Sequence, residues 1–194
     1  MDKRALILDG GLEDGVLTCG VREIVANTLQ RDGWCVDYLV LREIEIAPCL
    51  GCFGCWIKTP GVCVIDDAGR DVARQMANSD LIIYLTPLTF GGYSSELKKA
   101  LDRSIPNLLP LFRLVKGEVH HVKRYPRNPR LIGIGVFAGG RADPDEEELF
   151  AMLVHRNAIN FHAPADATCV INGTDDDEVR YLRIEGVLEK VIGS

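Results

Sequence analysis

Short, wholly apolar runs set between helical patterns constrain this chain most. Ala5-Leu6-Ile7-Leu8, Leu81-Ile82-Ile83-Tyr84-Leu85 and residues 131–137 show no alternation of polar and apolar positions. Such runs suit strands covered on both faces, as in a parallel sheet lying between layers of helices. Residues 36–41 and 168–171 read as two further strands. Helical spacing falls between them, over 21–29, 66–78, 95–104, 145–160 and 177–191, with Asp66 and Asp67 well placed at the start of the second helix. Alternation of this kind predicts a three-layer, doubly wound α/β fold with five parallel strands in the order 2-1-3-4-5. Ligands then bind beyond the carboxyl ends of the strands, where the order reverses between strands one and three. The loops to inspect are 9–18, 86–95 and 138–143, with the loop after strand two opening on the same edge.

Bulk properties narrow the function. A length of 194 residues fits one domain, 1–194, and the 47% hydrophobic and 26% charged fractions are those of a globular protein. The net charge of −6 argues against a nucleic-acid or anionic-membrane partner. The basic stretch 116–130 holds Lys116, Lys123, Arg124, Arg127 and Arg130, and its Pro126 and Pro129 make it read as a connecting loop. The amino terminus lacks the apolar core of a signal peptide, and no run is long enough for a membrane helix, so a cytoplasmic location is expected. Cysteines there are reduced or metal-bound.

Four of the seven cysteines lie in the loop 48–65, spaced C-x2-C-x2-C-x7-C at Cys49, Cys52, Cys55 and Cys63. Thiolates so close in sequence suit an iron–sulfur cluster, a zinc ion or reversible thiol chemistry. Structural zinc usually takes two separated C-x2-C pairs, and this spacing suits a cubane cluster better. Gly51 and Gly54 allow backbone amides to face sulfur, and Trp56 is placed to shield the site. Cys19, Cys35 and Cys169 read as core packing. His120 and His121 point different ways, which favours a surface or interface role over joint ligation. Asp175-Asp176-Asp177 reads as a turn and helix start.

The cysteine motif followed by Val64-Ile65-Asp66-Asp67 resembles that of the iron–sulfur flavoproteins, within the flavodoxin-like NAD(P)H-dependent FMN reductases. The segment Thr86-Pro87-Leu88-Thr89-Phe90-Gly91-Gly92-Tyr93-Ser94-Ser95, leading into Leu101-Asp102-Arg103, is similar to that family's loop after strand three. The resemblance implies a flavodoxin-like oxidoreductase that takes hydride from NAD(P)H onto FMN. Electrons then pass to a [4Fe–4S] cluster on Cys49, Cys52, Cys55 and Cys63, and on to a redox partner or small-molecule acceptor. It implies FMN contacts at Pro87, Leu88, Thr89, Phe90, Gly91, Gly92 and Tyr93, and a homodimer or homotetramer. Gly10 and Thr18 survive from the family's phosphate loop, and Gly139 and Arg141 follow the fourth strand, where Arg141 offers a charge. No acid–base residue is demanded, since hydride transfer needs alignment. Glu13 stands where the family has arginine, and Asp14 follows it; two carboxylates repel a phosphate. That departure keeps open a second reading, a flavin-free metal-binding or thiol redox-sensing protein. Arg124-Tyr125 is a further candidate nucleotide contact.

Overall fold

The computed structural model describes residues 3–12, 15–115 and 117–193. The main sheet contains β1 (Arg4–Asp9), β2 (Cys35–Val40), β3 (Leu81–Pro87), β6 (Arg130–Phe137) and β7 (Asp166–Asn172). All neighbours pair in parallel, in the order β2-β1-β3-β6-β7. These are the five strands expected from the apolar runs. The order differs from 2-1-3-4-5 only because a hairpin takes the labels β4 (Leu108–Val115) and β5 (Glu118–Lys123).

Successive residues of a strand face opposite sides, so the doubly apolar runs feed two cores. Ile7, Ile83, Ile132 and Ile134 pack with Val21, Val25 and Leu29 of α1 (Val16–Arg31) and Ile184, Val187 and Leu188 of α6 (Asp177–Ile192). Leu6, Leu8, Ile82 and Tyr84 pack on the other side. There they meet Val72 and Met76 of α3 (Ala68–Asn78), Leu97 of α4 (Ser95–Asp102), and Phe150 and Val154 of α5 (Pro144–Phe161). α5 sits close because β6 offers a glycine: a Cβ on Gly133 would lie 2.5 Å from Val154 Cγ2. Side chains of Asp67, Ser94, Asp143 and Asp176 cap α3, α4, α5 and α6. Asp176 thus plays the helix-start role expected of the acidic triplet.

The hairpin corrects the reading of 116–130 as a loop. β4 and β5 form a separate antiparallel pair that turns at Gly117, where φ is +86°. Pro110 and a register shift between Leu108 and Phe112 break the period that would have marked β4. Arg124, weighed as a nucleotide contact, instead donates from Nε to the Pro106 carbonyl at 2.8 Å. The histidines do diverge: His120 Nδ1 meets Asn160 Oδ1 at 3.1 Å, while His121 Nδ1 meets the Leu109 carbonyl at 2.9 Å. Among the described residues no helix is long and apolar enough to cross a membrane.

Candidate functional site

Loops following β1, β2, β3 and β6 all leave the carboxyl edge of the sheet. The first and third are pinned together at the point where the strand order reverses. Ser94 Oγ donates to the Gly10 carbonyl at 2.7 Å and accepts from the Leu97 amide at 3.2 Å. The Ser94 amide in turn donates to Thr86 Oγ1 at 2.9 Å. A Cβ on Gly10 would stand 2.7 Å from Ser94 Oγ and 2.8 Å from Leu97 Cβ, so only glycine allows this approach.

Beyond β3 the chain makes a tight turn. Thr89 and Gly92 exchange backbone hydrogen bonds of 3.3 and 2.9 Å, with Phe90 at φ 51° and Gly91 at φ 72°. Phe90 is 87% exposed at the tip. A bulky residue in the left-handed region costs of order 1–3 kcal/mol, and such strain concentrates at ligand sites. Pro87 ends β3, while Leu88 is buried where a Cβ on Gly135 would fall, 2.8 Å from Leu88 Cγ. Gly91 is glycine for a reason other than ligand approach: a Cβ there would lie 2.9 Å from Leu149 Cδ2 and 3.1 Å from the Glu146 carbonyl of α5. Tyr93 turns inward, and its hydroxyl accepts from Asn157 Nδ2 at 2.9 Å. Gly139 and Arg141 lie in the turn after β6, with Arg141 exposed.

In the first loop, Gly15 precedes α1 and Thr18 is buried in its first turn. Glu13 and Asp14 lie outside the described residues. An ion pair not foreseen from the sequence backs this loop. Asp9, 1% exposed at the end of β1, accepts from Arg22 Nη1 of α1 at 2.6 Å and from the Gly11 amide at 2.8 Å. Burial pulls the Arg22 guanidinium down, yet the Asp9 hydrogen bond and charge hold it above its ordinary value. The signal was a carboxylate directly after an apolar strand, which requires a partner.

The cysteine loop runs from β2 to α3 and contains a 3-10 turn at Leu41–Glu43 and a short helix, α2 (Gly54–Ile57). Cys49, Cys52, Cys55 and Cys63 all line one cavity of about 440 Å³, which Tyr93, Asn157 and Asn160 also line. Among the described residues no three His, Cys, Asp or Glu side chains close on a point that would hold a single metal ion. Gly51 adopts φ 62° and Phe53 φ 54°. Gly54 serves packing: a Cβ on it would lie 2.5 Å from Val64 Cγ1. Trp56 is half-buried between Phe53 and His121, at centroid distances of 5.2 and 5.1 Å, and its Nε1 donates to the Leu108 carbonyl at 3.0 Å. It therefore docks the loop on the hairpin.

Cys49 and Cys52 are exposed, whereas Cys55 is buried. Burial, then the neighbouring Cys63, pushes the Cys55 thiol up. In metal-free protein, iodoacetamide at mildly alkaline pH is expected to label Cys49 and Cys52 well before Cys55, as read by peptide mass spectrometry. Equal labelling of Cys55 would contradict this packing. The three other cysteines are not uniformly core. Cys35 is exposed on the edge strand β2, and Cys19 Sγ accepts from Arg22 Nη2 at 3.2 Å. Cys169 does pack in the core, and burial pushes its thiol up to about 12.

Sequence reasoning also passed over what closes the base of the cysteine loop. Arg103, just beyond α4, has a wholly buried side chain paired with Asp67, whose side chain is 14% exposed. Nη1 donates to the Ala47 carbonyl at 2.7 Å and to Asp67 Oδ2 at 2.8 Å. Nη2 donates to Asp67 Oδ1 at 2.6 Å and to the Ile65 carbonyl at 3.3 Å. The Asp67 carboxylate also accepts from the Ala47 and Gly69 amides at 2.9 and 3.0 Å. One guanidinium thus joins both ends of the loop.

The model of the NADPH-dependent FMN reductase family matches residues 4–155. The chain belongs to this family. An iron–sulfur flavoprotein of Methanocaldococcus jannaschii is 37% identical over 93 residues, which are 48% of this chain and 47% of that protein. The match thus spans less than half the length of this curated relative. An azoreductase from Bacillus anthracis str. Sterne superposes with a TM-score of 0.67 at 14% identity, covering 97% of this chain and 98% of its own. An FMN-dependent NADH-azoreductase from Bacillus anthracis str. Ames Ancestor, solved in complex with FMN, gives 0.63 at 14% identity, covering 96% and 97%. The two structures share the fold.

Proposed function

We propose that this FMN reductase family member is an oxidoreductase that takes electrons from NAD(P)H through FMN to a cysteine-bound iron–sulfur cluster. The cavity lined by all four loop cysteines together with Tyr93 carries this reading, because it joins the thiols to the turn that the family resemblance assigns to the flavin ring. FMN, when bound, converts two-electron into one-electron chemistry. Gly10, Thr18 and the amino end of α1 offer amides to its phosphate. Pro87, Leu88, Thr89, Phe90, Gly91, Gly92 and Tyr93 orient the ring, and Gly139 and Arg141 close the same edge. Arg22 is committed to Asp9. It shapes the phosphate loop from behind rather than meeting the phosphate.

The thiols fit a cluster better than one zinc ion. They line one shared cavity, and the C-x2-C-x2-C-x7-C spacing suits a cubane, which takes one thiolate for each iron, better than the two separated pairs usual for structural zinc. The acceptor is a small molecule or a redox protein, and the working assembly a homodimer or homotetramer in the cytoplasm. Glu13 and Asp14 favour the alternative, a flavin-free thiol or metal protein. An absorbance spectrum with iron and sulfide assays, on protein purified without oxygen, separates the two. Flavin bands with iron and sulfide are expected, and Cys52→Ser is expected to lose the iron while keeping the flavin bands. A colourless, iron-free wild-type protein would sink the proposal.

A further inference from the structure

The β4–β5 hairpin bridges the cysteine loop and the end of α5. On the loop side, Trp56 Nε1 donates to the Leu108 carbonyl at 3.0 Å. On the α5 side, Asn160 meets His120 and Arg156 pairs with Glu118, while His162, directly after the helix, is joined to both strands. Its Nδ1 lies 2.7 Å from Arg113 Nη2 of β4, and its Nε2 lies 2.8 Å from the His121 carbonyl of β5. A guanidinium only donates and a carbonyl only accepts. Both contacts are therefore hydrogen bonds only in the neutral ring with its proton on Nε2. A second proton, on Nδ1, would face an N–H group and a positive charge. The backbone at His162 is costly as well. Its φ is 54°, a left-handed helix end that glycine or asparagine usually fills. The two side-chain bonds give a reason for histidine at that position.

We propose that the hairpin is an acid-released strap over the cysteine cavity, with His162 as its pin. Leu108 and Asn160, where the hairpin is attached on its two sides, both line that cavity. Burial pulls the His162 imidazole below its ordinary value of 6.5; the His121 carbonyl works against this, and the charges of Arg113, Lys123 and His120 work with it. The remaining charged groups on this seam, Glu118 and Arg156, pair with each other, and Glu118 also meets His120. A detached His162 takes up its proton first. Docking is therefore complete above pH 6.5 and is lost as pH falls through the lower docked value. One proton bound at Nδ1 breaks the Arg113 contact, and no covalent bond changes. Acid then opens the cavity from the α5 side, whether or not the thiols hold a cluster.

The test is amide hydrogen exchange, read by mass spectrometry on peptides covering 108–123 in the protein as purified. Exchange times are scaled for the intrinsic effect of pH. Protection of these peptides is expected to fall about tenfold between about pH 7.5 and 5.5, while β1 and β3 peptides keep theirs. His162→Gln supplies an acceptor oxygen and a donor nitrogen but cannot titrate, and is expected to abolish the step. Arg113→Ala keeps the titrating ring but removes the cation opposing its second proton, and is expected to shrink the step. His155→Gln, which alters a ring paired with Asp166 of β7, is expected to leave it intact. An undiminished step in His162→Gln or Arg113→Ala, or no step in the wild type, would overturn the assignment.

Discussion

Asp67→Ala is expected to lower the unfolding free energy by about 3–5 kcal/mol, the range for breaking a buried pair and stranding its partner. For a chain of this size that is a fall in melting temperature of roughly 6–20 °C. The size follows from the geometry. Arg103 has no exposed side-chain surface, so its charge cannot turn to water once the carboxylate is gone. The Ala47 and Gly69 amides lose their acceptor in the same step.

The effect carries its own pH dependence. The Arg103 hydrogen bonds hold the Asp67 carboxyl below its ordinary value of 3.8, against a burial effect of the opposite sign. The unfolded chain therefore takes up the proton first, so the stabilisation is complete above that value and is lost as pH falls through the lower folded one. Thermal melts of wild type and Asp67→Ala should differ most near neutrality and converge in acid. A gap that stays constant down to about pH 2 would mean that ion pairing is not what the pair contributes.

Gly10→Val is expected to weaken FMN binding about 10–100-fold while leaving a folded protein. A Cβ at this position meets Ser94 Oγ at 2.7 Å and Leu97 Cβ at 2.8 Å, both held in place at the start of α4. Relieving the contact must push the first loop away from the third, and overpacking of this kind costs about 1–3 kcal/mol. Gly20→Ala is the matched control, because a Cβ there meets nothing within 4 Å and lies on an exposed face of α1. Flavin fluorescence titration measures both. Unchanged affinity in Gly10→Val would place the flavin elsewhere on the sheet.

The parallel sheet was legible because doubly buried strands leave wholly apolar runs, as at Leu81-Ile82-Ile83-Tyr84-Leu85. The hairpin was not, because Pro110 and the shift between Leu108 and Phe112 erase the alternation that marks a strand. Within the site, the cysteine spacing and the glycine-rich turn stood out because each is compact in sequence. Arg103 and Asp67 are 36 positions apart; Asp67 read as a helix-start charge and Arg103 only as the end of the segment after strand three. Nothing local shows that one is drawn under a loop it does not belong to. Asp9 did leave a signal, a carboxylate at the end of an apolar run, but nothing local named Arg22 as its partner. The roles given to Gly54 and Gly91 needed the fold as well, since a glycine that admits a ligand and one that admits a neighbouring chain look alike in a sequence.

The way the cysteine loop is fastened bears on protein engineering. Its four cysteines lie close together in the chain, which invites grafting residues 48–65 onto another sheet of this topology as a self-contained module. The fastening is not in that segment: Asp67 follows it, and Arg103 arrives from beyond α4. A graft that omits those two side chains would carry the cysteines without their anchor. The smallest portable unit is residues 48–67, which include Asp67, together with an arginine at the end of the helix that follows the third parallel-strand loop.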